Sequence, residues 1–381
     1  MKTQTQSPYR ILLSPPHMSG RERKYVDEVF ATNFVAPAGP ILSRFEQMFC
    51  ERTGFSHAVA VSSGTAALHL ALRCAGVERG DRVWAPTFTF IASIAPIIYQ
   101  GATPVLFDCD AHSWNIDLGL VEEELKKAAQ RNELPKAIIA VDLYGMPCDL
   151  EHLKAIAASY EVAVIADSAE AIGSRREGKH AGFGADCAAF SFNGNKLITT
   201  GGGGLLASED EKLVEYARFL SQQARAPVLH YEHEEIGYNY RMSSINAAVG
   251  CGQLEVLEER VTRRREIFEN YRKSLGSLPG IRFPDEPAGA RANRWLSVLT
   301  TNGRPDLAKF ILSLNELGIE ARRLWKPMHL QGALKGVNVI GGSVAERLFE
   351  TGLCLPSGTD MTKADEEFVA TAVKKIVSEI A

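Results

Sequence analysis

The sequence contains no C-x-x-C pair, no basic tract and no apolar run long enough to cross a bilayer. Its seven cysteines (Cys50, Cys74, Cys109, Cys148, Cys187, Cys251 and Cys354) are odd in number and scattered, several of them inside apolar strand or helix patterns. That usage belongs to a reducing compartment and excludes a disulfide framework. The longest apolar stretch, Phe88 to Tyr99, is short for a membrane span and is interrupted by Pro96. Met1 to Arg10 is polar and lacks an apolar core, so no signal peptide is expected and a cytoplasmic location is. A formal net charge of -4 offers no general field for nucleic acid. The densest basic cluster, Arg263-Arg264-Arg265, lies among Glu258, Glu259 and Glu266 and reads as a solvated helix face. There is no G-x-x-x-x-G-K-[ST], and neither Gly182-x-Gly184 nor Gly201-x-Gly203 carries the third glycine of a dinucleotide fingerprint. His230-x-x-His233, with Glu232 and Glu234, has no third ligand at a defined spacing, and Asp110 with His112 fits a polar loop, so no metal site is expected.

What is present suits a large α/β protein. The 381 residues are 45% hydrophobic, enough for one large domain and a smaller one without a disulfide or metal staple. From residue 57 apolar strands alternate with helices: strands at 58–61, 82–85, 103–107, 137–141 and 162–166, helices at 65–75, 90–100 and 150–159. Such alternation predicts a mostly parallel sheet covered on both faces, with ligands beyond the carboxyl ends of its strands. Composition shifts near residue 255, where a long charged helix over 254–275 leads to a strand at 295–300, a helix at 306–317, a strand at 319–322 and a closing helix at 363–380. The predicted division is 1–254 for the large domain and 255–381 for a connecting helix and a small α+β domain.

Several stretches carry chemistry. Ser191-Phe192-Asn193-Gly194-Asn195-Lys196, followed by Leu197-Ile198-Thr199-Thr200 and Gly201 to Gly204, joins two apolar strands by a small, glycine-rich connection. A lysine in such surroundings is a candidate for a desolvated amine that forms a Schiff base with a carbonyl compound, against the ordinary reading of a solvated loop lysine. Ser62-Ser63-Gly64-Thr65 lies between a strand and a helix N-terminus, which favours an anion such as a phosphate, or else is a simple N-cap. Ser191 can add a hydroxyl to that phosphate. Asp167 ends a strand one strand before Lys196, the right place for a carboxylate that keeps a pyridinium nitrogen protonated, or for a helix cap. Phe90 offers a ring to stack on a flat cofactor, or packs in the core. Together these predict a pyridoxal phosphate site.

In order and spacing, V-S-S-G-T-A-A-L, P-T-F-T-F-I-A-S, A-D-S-A-E-A-I-G, S-F-N-G-N-K and G-Y-N-Y-R-M-S resemble the sugar-nucleotide aminotransferases of pyridoxal phosphate fold type I, the aspartate-aminotransferase-like fold with a seven-stranded-type large sheet. The resemblance covers nearly the whole chain. L-S-P-P-H-M, Q-A-R…H-Y-E-H, N-R-W-L-S, L-W-K-P-M-H and L-C-L-P-S-G-T are similar to the branch that makes UDP-4-amino-4,6-dideoxy-N-acetylglucosamine for bacillosamine-type glycans, and GDP-perosamine synthases share some of them. The resemblance implies that Lys196 is the Schiff-base lysine and Asp167 the pyridinium partner. Phe90 would stack on the ring, with Gly64, Thr65 and Ser191 on the phosphate. It further implies that Glu170 approaches the phenolic oxygen and that Asn239 reaches the phosphate from the neighbouring subunit of a homodimer. Arg225, Trp325 and His329 would meet the sugar nucleotide. Arg323 departs from the proline that relatives often carry after the arginine matched by Arg322. The implied reaction moves the amino group of L-glutamate to the C-4 keto group of a 4-keto-6-deoxy sugar nucleotide. A sugar dehydratase would carry His where Lys196 stands, and a non-catalytic regulatory member would have lost Lys196 or Asp167; a nicotinamide-dependent sugar enzyme would need the missing fingerprint.

Overall fold

Eight short apolar segments pair into one sheet: His57–Val61 (β1), Arg82–Pro86 (β2), Thr103–Phe107 (β3), Ala137–Val141 (β4), Ala163–Asp167 (β5), Cys187–Ser191 (β6), Gly204–Ser208 (β7) and Asn338–Ile340 (β8), in the order β1-β7-β6-β5-β4-β2-β3-β8. This is a computed structural model, and it describes residues 7–301 and 306–380; Met1 to Gln6, part of the polar lead-in, lie outside them. From β6 across to β8 every pair is parallel, whereas β7 runs antiparallel to both β6 and β1. Side chains alternate between two cores: Val59 and Val61 enter one, Ala58 and Ala60 the other. Both faces are covered, which is why the parallel strands read as unbroken apolar runs. The fold expected from the strand–helix alternation is therefore present, with one addition. The short β8 comes from the C-terminal third of the chain and pairs with β3 at the edge of the large sheet.

Helices Glu22–Ala31 (α1) and Pro40–Thr53 (α2) pack on a later helix, Ser244–Leu254, and Gly64–Cys74 (α3) follows β1. Ser244–Leu254 was not anticipated, and the charged helix predicted from Leu254 begins at Leu257. The reason is its composition. Its small residues are buried nearly all round, so it has no amphipathic stripe, and added methyls at Gly250 and Gly252 would meet Phe45 at 2.4 Å and the Glu22 backbone at 2.6 Å. The helix predicted over 90–100 is likewise two pieces, a 3₁₀ turn Ile91–Ser93 and an α-helix Ala95–Tyr99 with Pro96 in its first turn. Helices Leu118–Arg131, Glu211–Ser221 and Ser343–Thr351 were also not foreseen.

The C-terminal part builds its own four-stranded antiparallel sheet from Ile281–Arg282, Ser297–Thr301, Gly352–Leu355 and Arg322–Arg323. Ile267 and Tyr271 of the connecting helix and Val369, Val373 and Ile376 of the closing helix pack beneath it. The strand expected at 319–322 shortens to Arg322–Arg323, and Ile319 instead bridges Ile11 of the N-terminal strap. Among the described residues, no helix is long and apolar enough to cross a membrane, and all seven cysteines are free.

Candidate active site

Strands β5 and β6 are parallel neighbours, so Asp167 at the end of one and the connection that follows the other meet at the same edge of the sheet. That connection is a hairpin, closed by Phe192 N–H to the Gly203 carbonyl (2.9 Å) and Thr200 N–H to the Phe192 carbonyl (2.9 Å). Lys196 sits at its turn and points inward. Only 13% of its side chain is exposed; Nζ lies 3.6 Å from Glu170 Oε1 and 4.0 Å from the centre of the Trp295 ring. Loss of solvent pulls its ammonium below the ordinary lysine range, opposed by the charges of Glu170 and Asp167. Burial pushes both carboxyls the other way, upward, opposed by hydrogen bonds and by the charge of Lys196.

Each carboxylate is held. Asp167 Oδ2 accepts from Ser93 Oγ at 2.6 Å and Oδ1 from Ala169 N–H at 3.2 Å. Glu170 Oε2 accepts the backbone N–H of Tyr144 at 2.6 Å. Tyr144 reaches it from the left-handed region (φ 51°), a conformation that a buried tyrosine keeps only where its surroundings fix it. Its ring stacks between Trp295 (6.3 Å) and Trp325 (6.1 Å), and Trp325 lies 5.1 Å from Phe90. The result is an aromatic wall running from the lysine to Phe90, whose own ring is 48% exposed beside the site.

The corner where β1 meets α3 is a backbone cradle. Ser63 caps α3, its Oγ accepting from Ala66 N–H at 3.0 Å, while the leading N–H groups of Gly64 and Thr65 have no intrahelical acceptor. Sheet register sets Ser191, Gly204 and Val61 in one row. A methyl on Gly204 would stand 2.2 Å from the Ser63 carbonyl carbon, and one on Gly64 would touch Ser191 Cβ at 3.0 Å, so only glycines let these three segments close on one point. The N-cap reading of Ser62 to Thr65 is met at Ser63, and the free N–H groups beside it leave room for an anion.

Asn239, Arg225 and His329 are engaged with partners of their own. Asn239, exposed, bridges Gln222 on the outer side of β1, and Arg225 is exposed with its guanidinium 4.1 Å above the Tyr231 ring; among the described residues neither contacts Lys196. His329 is engaged at both ring nitrogens, by Thr87 Oγ1 (2.6 Å) and Glu346 Oε1 (2.9 Å). His230 turns to Glu232 and His233 to the Gln223 carbonyl, so the pair does not converge. Asp110 caps its own loop through His112 and Ser113. The sequence reading gave no role to Ser93, Tyr144 and Trp295. Ser93 stands three residues after Phe90, one helical turn, which was the available signal. Tyr144 and Trp295 come from segments far apart in the chain, and no local pattern joins them.

A buried amine of lowered basicity, a carboxylate at a strand end, a flanking aromatic and a phosphate cradle fit a phosphorylated pyridine aldehyde, pyridoxal phosphate, group for group. Fold and site thus define an α/β enzyme of lysine-centred amine chemistry. Residues 16–374 match the DegT/DnrJ/EryC1/StrS aminotransferase family, and the chain belongs to it. It is 48% identical over 361 residues, 94% of this chain and 93% of the other, to a Bacillus subtilis (strain 168) protein named "Putative pyridoxal phosphate-dependent aminotransferase EpsN". It is 35% identical to a GDP-perosamine synthase of Caulobacter vibrioides over 97% of this chain and 98% of that one. Its fold is similar to the crystal structure of the aminotransferase TlmJ from Streptoalloteichus hindustanus, with a TM-score of 0.89 and 29% identity over 97% of this chain and 99% of that one. The enzyme class read from the motifs, an aminotransferase, is borne out.

Proposed function

We propose that this enzyme, with pyridoxal phosphate as cofactor, moves the amino group of L-glutamate to the C-4 keto group of a 4-keto-6-deoxy sugar nucleotide, UDP-2-acetamido-2,6-dideoxy-4-hexulose, for bacterial glycan synthesis. The observation that carries the chemistry is the buried Lys196 amine set between Glu170, Asp167 and Trp295 beside an anion cradle. The sugar rests on the branch motifs at residues 13–18, 293–297, 324–329 and 353–359. When bound, the cofactor supplies a carbonyl carbon for amines and an electron sink for the charge left by a departing proton.

Gly64, Thr65 and Ser191 hold the phosphate in this reading, Phe90 stacks on the ring, and Glu170 approaches its phenolic oxygen. Asp167 holds the ring nitrogen protonated. Lys196, whose lowered basicity leaves it neutral over a wider pH range than an exposed lysine, takes the α-proton of glutamate and later delivers a proton to C-4 of the sugar. Residues 1–254 form the cofactor-binding part and 255–381 the smaller one. In a homodimer Asn239, exposed on its own subunit, would reach the phosphate of the partner's site, and Arg225, Trp325 and His329 would meet the sugar nucleotide. The free thiols fit a cytoplasmic setting.

A second reading, a GDP-perosamine-type aminotransferase, is supported by the 35% identity to such a synthase. Purified protein incubated with glutamate and a panel of UDP- and GDP-linked 4-keto sugars, read by mass spectrometry, tests both. Amination of the UDP-linked N-acetyl sugar alone supports the first reading; amination of the GDP-linked sugar alone replaces it with the second; 2-oxoglutarate release with none of them overturns both.

A further inference from the structure

Asp167 is joined to a buried hydroxyl chain. Ser93 Oγ donates to Asp167 Oδ2 at 2.6 Å, and Thr89 Oγ1 lies 2.7 Å from Ser93 Oγ. Ser93 and Thr89 are 0% and 1% exposed. A serine hydroxyl has one hydrogen, and here the carboxylate takes it, so Thr89 must be the donor to Ser93. Two hydroxyls donating in line polarise one another and place positive charge on a carboxylate oxygen in a site that excludes water. The 3₁₀ turn Ile91–Ser93 that aims Ser93 inward starts directly after Phe90, so one turn places both the stacking ring and the carboxylate's donor. Three other titratable groups face Asp167: Asp142 at the end of β4, Glu170 on the turn after β5, and Lys196 on the hairpin after β6. Burial leans toward protonating Asp167, and the hydroxyl chain, with the charge of Lys196, leans the other way.

We infer that Ser93, backed by Thr89, is a positioning residue that holds Asp167 as a carboxylate aimed at the cofactor's ring nitrogen. The inference rests on the pyridinium role proposed for Asp167. Removing the donor leaves a buried carboxylate oxygen unpaired and makes it easier to protonate. In Ser93→Ala, and to a smaller degree in Thr89→Val, the acid limb of the glutamate half-reaction should move to higher pH, by about one unit for Ser93→Ala. The dissociation constant of pyridoxal phosphate should rise about tenfold in Ser93→Ala, roughly the worth of one charge-assisted hydrogen bond. Thr89→Ser keeps the hydroxyl and should return both readouts to wild type.

The experiment titrates wild type, Ser93→Ala, Thr89→Val, Thr89→Ser and Asp167→Asn with pyridoxal phosphate by absorbance. It then follows the half-reaction from pH 5.5 to 9, with melting temperatures recorded to confirm folding. A raised acid limb in Ser93→Ala and Thr89→Val with recovery in Thr89→Ser supports the chain. An unmoved limb in folded Ser93→Ala, with Asp167→Asn crippled, overturns the positioning role and leaves the reading of Asp167 standing. Asp167→Asn at wild-type rate overturns that reading and this inference with it.

Discussion

Lys196 illustrates how a residue's chemistry follows from its surroundings. Its ammonium has a carboxylate 3.6 Å away and an aromatic face 4.0 Å away, and desolvation outweighs the charges of Glu170 and Asp167 and lowers its basicity. Such an amine is a proton carrier as well as a nucleophile. Lys196→Ala should therefore reduce transamination by about 10³-fold or more while leaving the melting temperature nearly unchanged. Steady-state turnover within tenfold of wild type, in a folded variant, would contradict the assignment. Lys196 and Asp167 were legible in the sequence because each ends or follows a short apolar strand, and strand ends converge on the sheet edge. The aromatic wall was not. Phe90, Tyr144, Trp295 and Trp325 lie on four separate segments, and only the folded chain stacks them.

At the level of elements, the cradle depends on Gly204 more than on the rest of its glycine run. An alanine methyl there would stand within 2.4 Å of three backbone atoms of Ser63 and Gly64, which cannot rotate away, whereas one on Gly202 meets nothing within 4 Å. Gly204→Ala should destabilise the fold by about 1–3 kcal/mol and abolish tight cofactor binding, and Gly202→Ala should do neither, as thermal melts and cofactor titrations would show. His180 gives a second element-level prediction. Its Nε2 accepts Gly173 N–H at 2.7 Å and its Nδ1–H donates to the Ala181 carbonyl at 2.8 Å, so the buried ring is neutral; burial lowers its pKa from 6.5 to about 4. The unfolded chain binds this proton more readily, so stability is full above about pH 6.5 and falls as pH drops toward 4, by about 3 kcal/mol from this group. In His180→Gln that part of the slope should flatten, measured by urea unfolding across the range. The strand–helix alternation was readable at this scale, since each strand carries its own apolar run. Among the elements that escaped are Ser244–Leu254, buried without a stripe, and Asn338–Ile340, three residues whose partner strand lies more than two hundred positions earlier.

For the molecule as a whole, the prediction concerns assembly. If Asn239 completes a partner's phosphate site, Lys196→Ala and Asn239→Ala should complement each other. A mixed dimer would hold one site with both lesions and one with neither, so activity should return when two weak parents exchange subunits. A tagged pull-down verifies the exchange. Exchange without recovered activity would confine Asn239 to shaping its own turn. Exposed Phe30, Phe34, Val35, Tyr99, Leu229 and Ile236 are apolar surface that an interface between copies would cover.

The most direct test of the lysine-centred site is borohydride reduction of the enzyme loaded with pyridoxal phosphate, followed by peptide mass spectrometry. Reduction should fix the cofactor to one side chain, Lys196, and the Lys196→Ala protein should take up no covalent label. A label on any other lysine of the wild type, or none at all on a protein that has bound the cofactor, would contradict the site described.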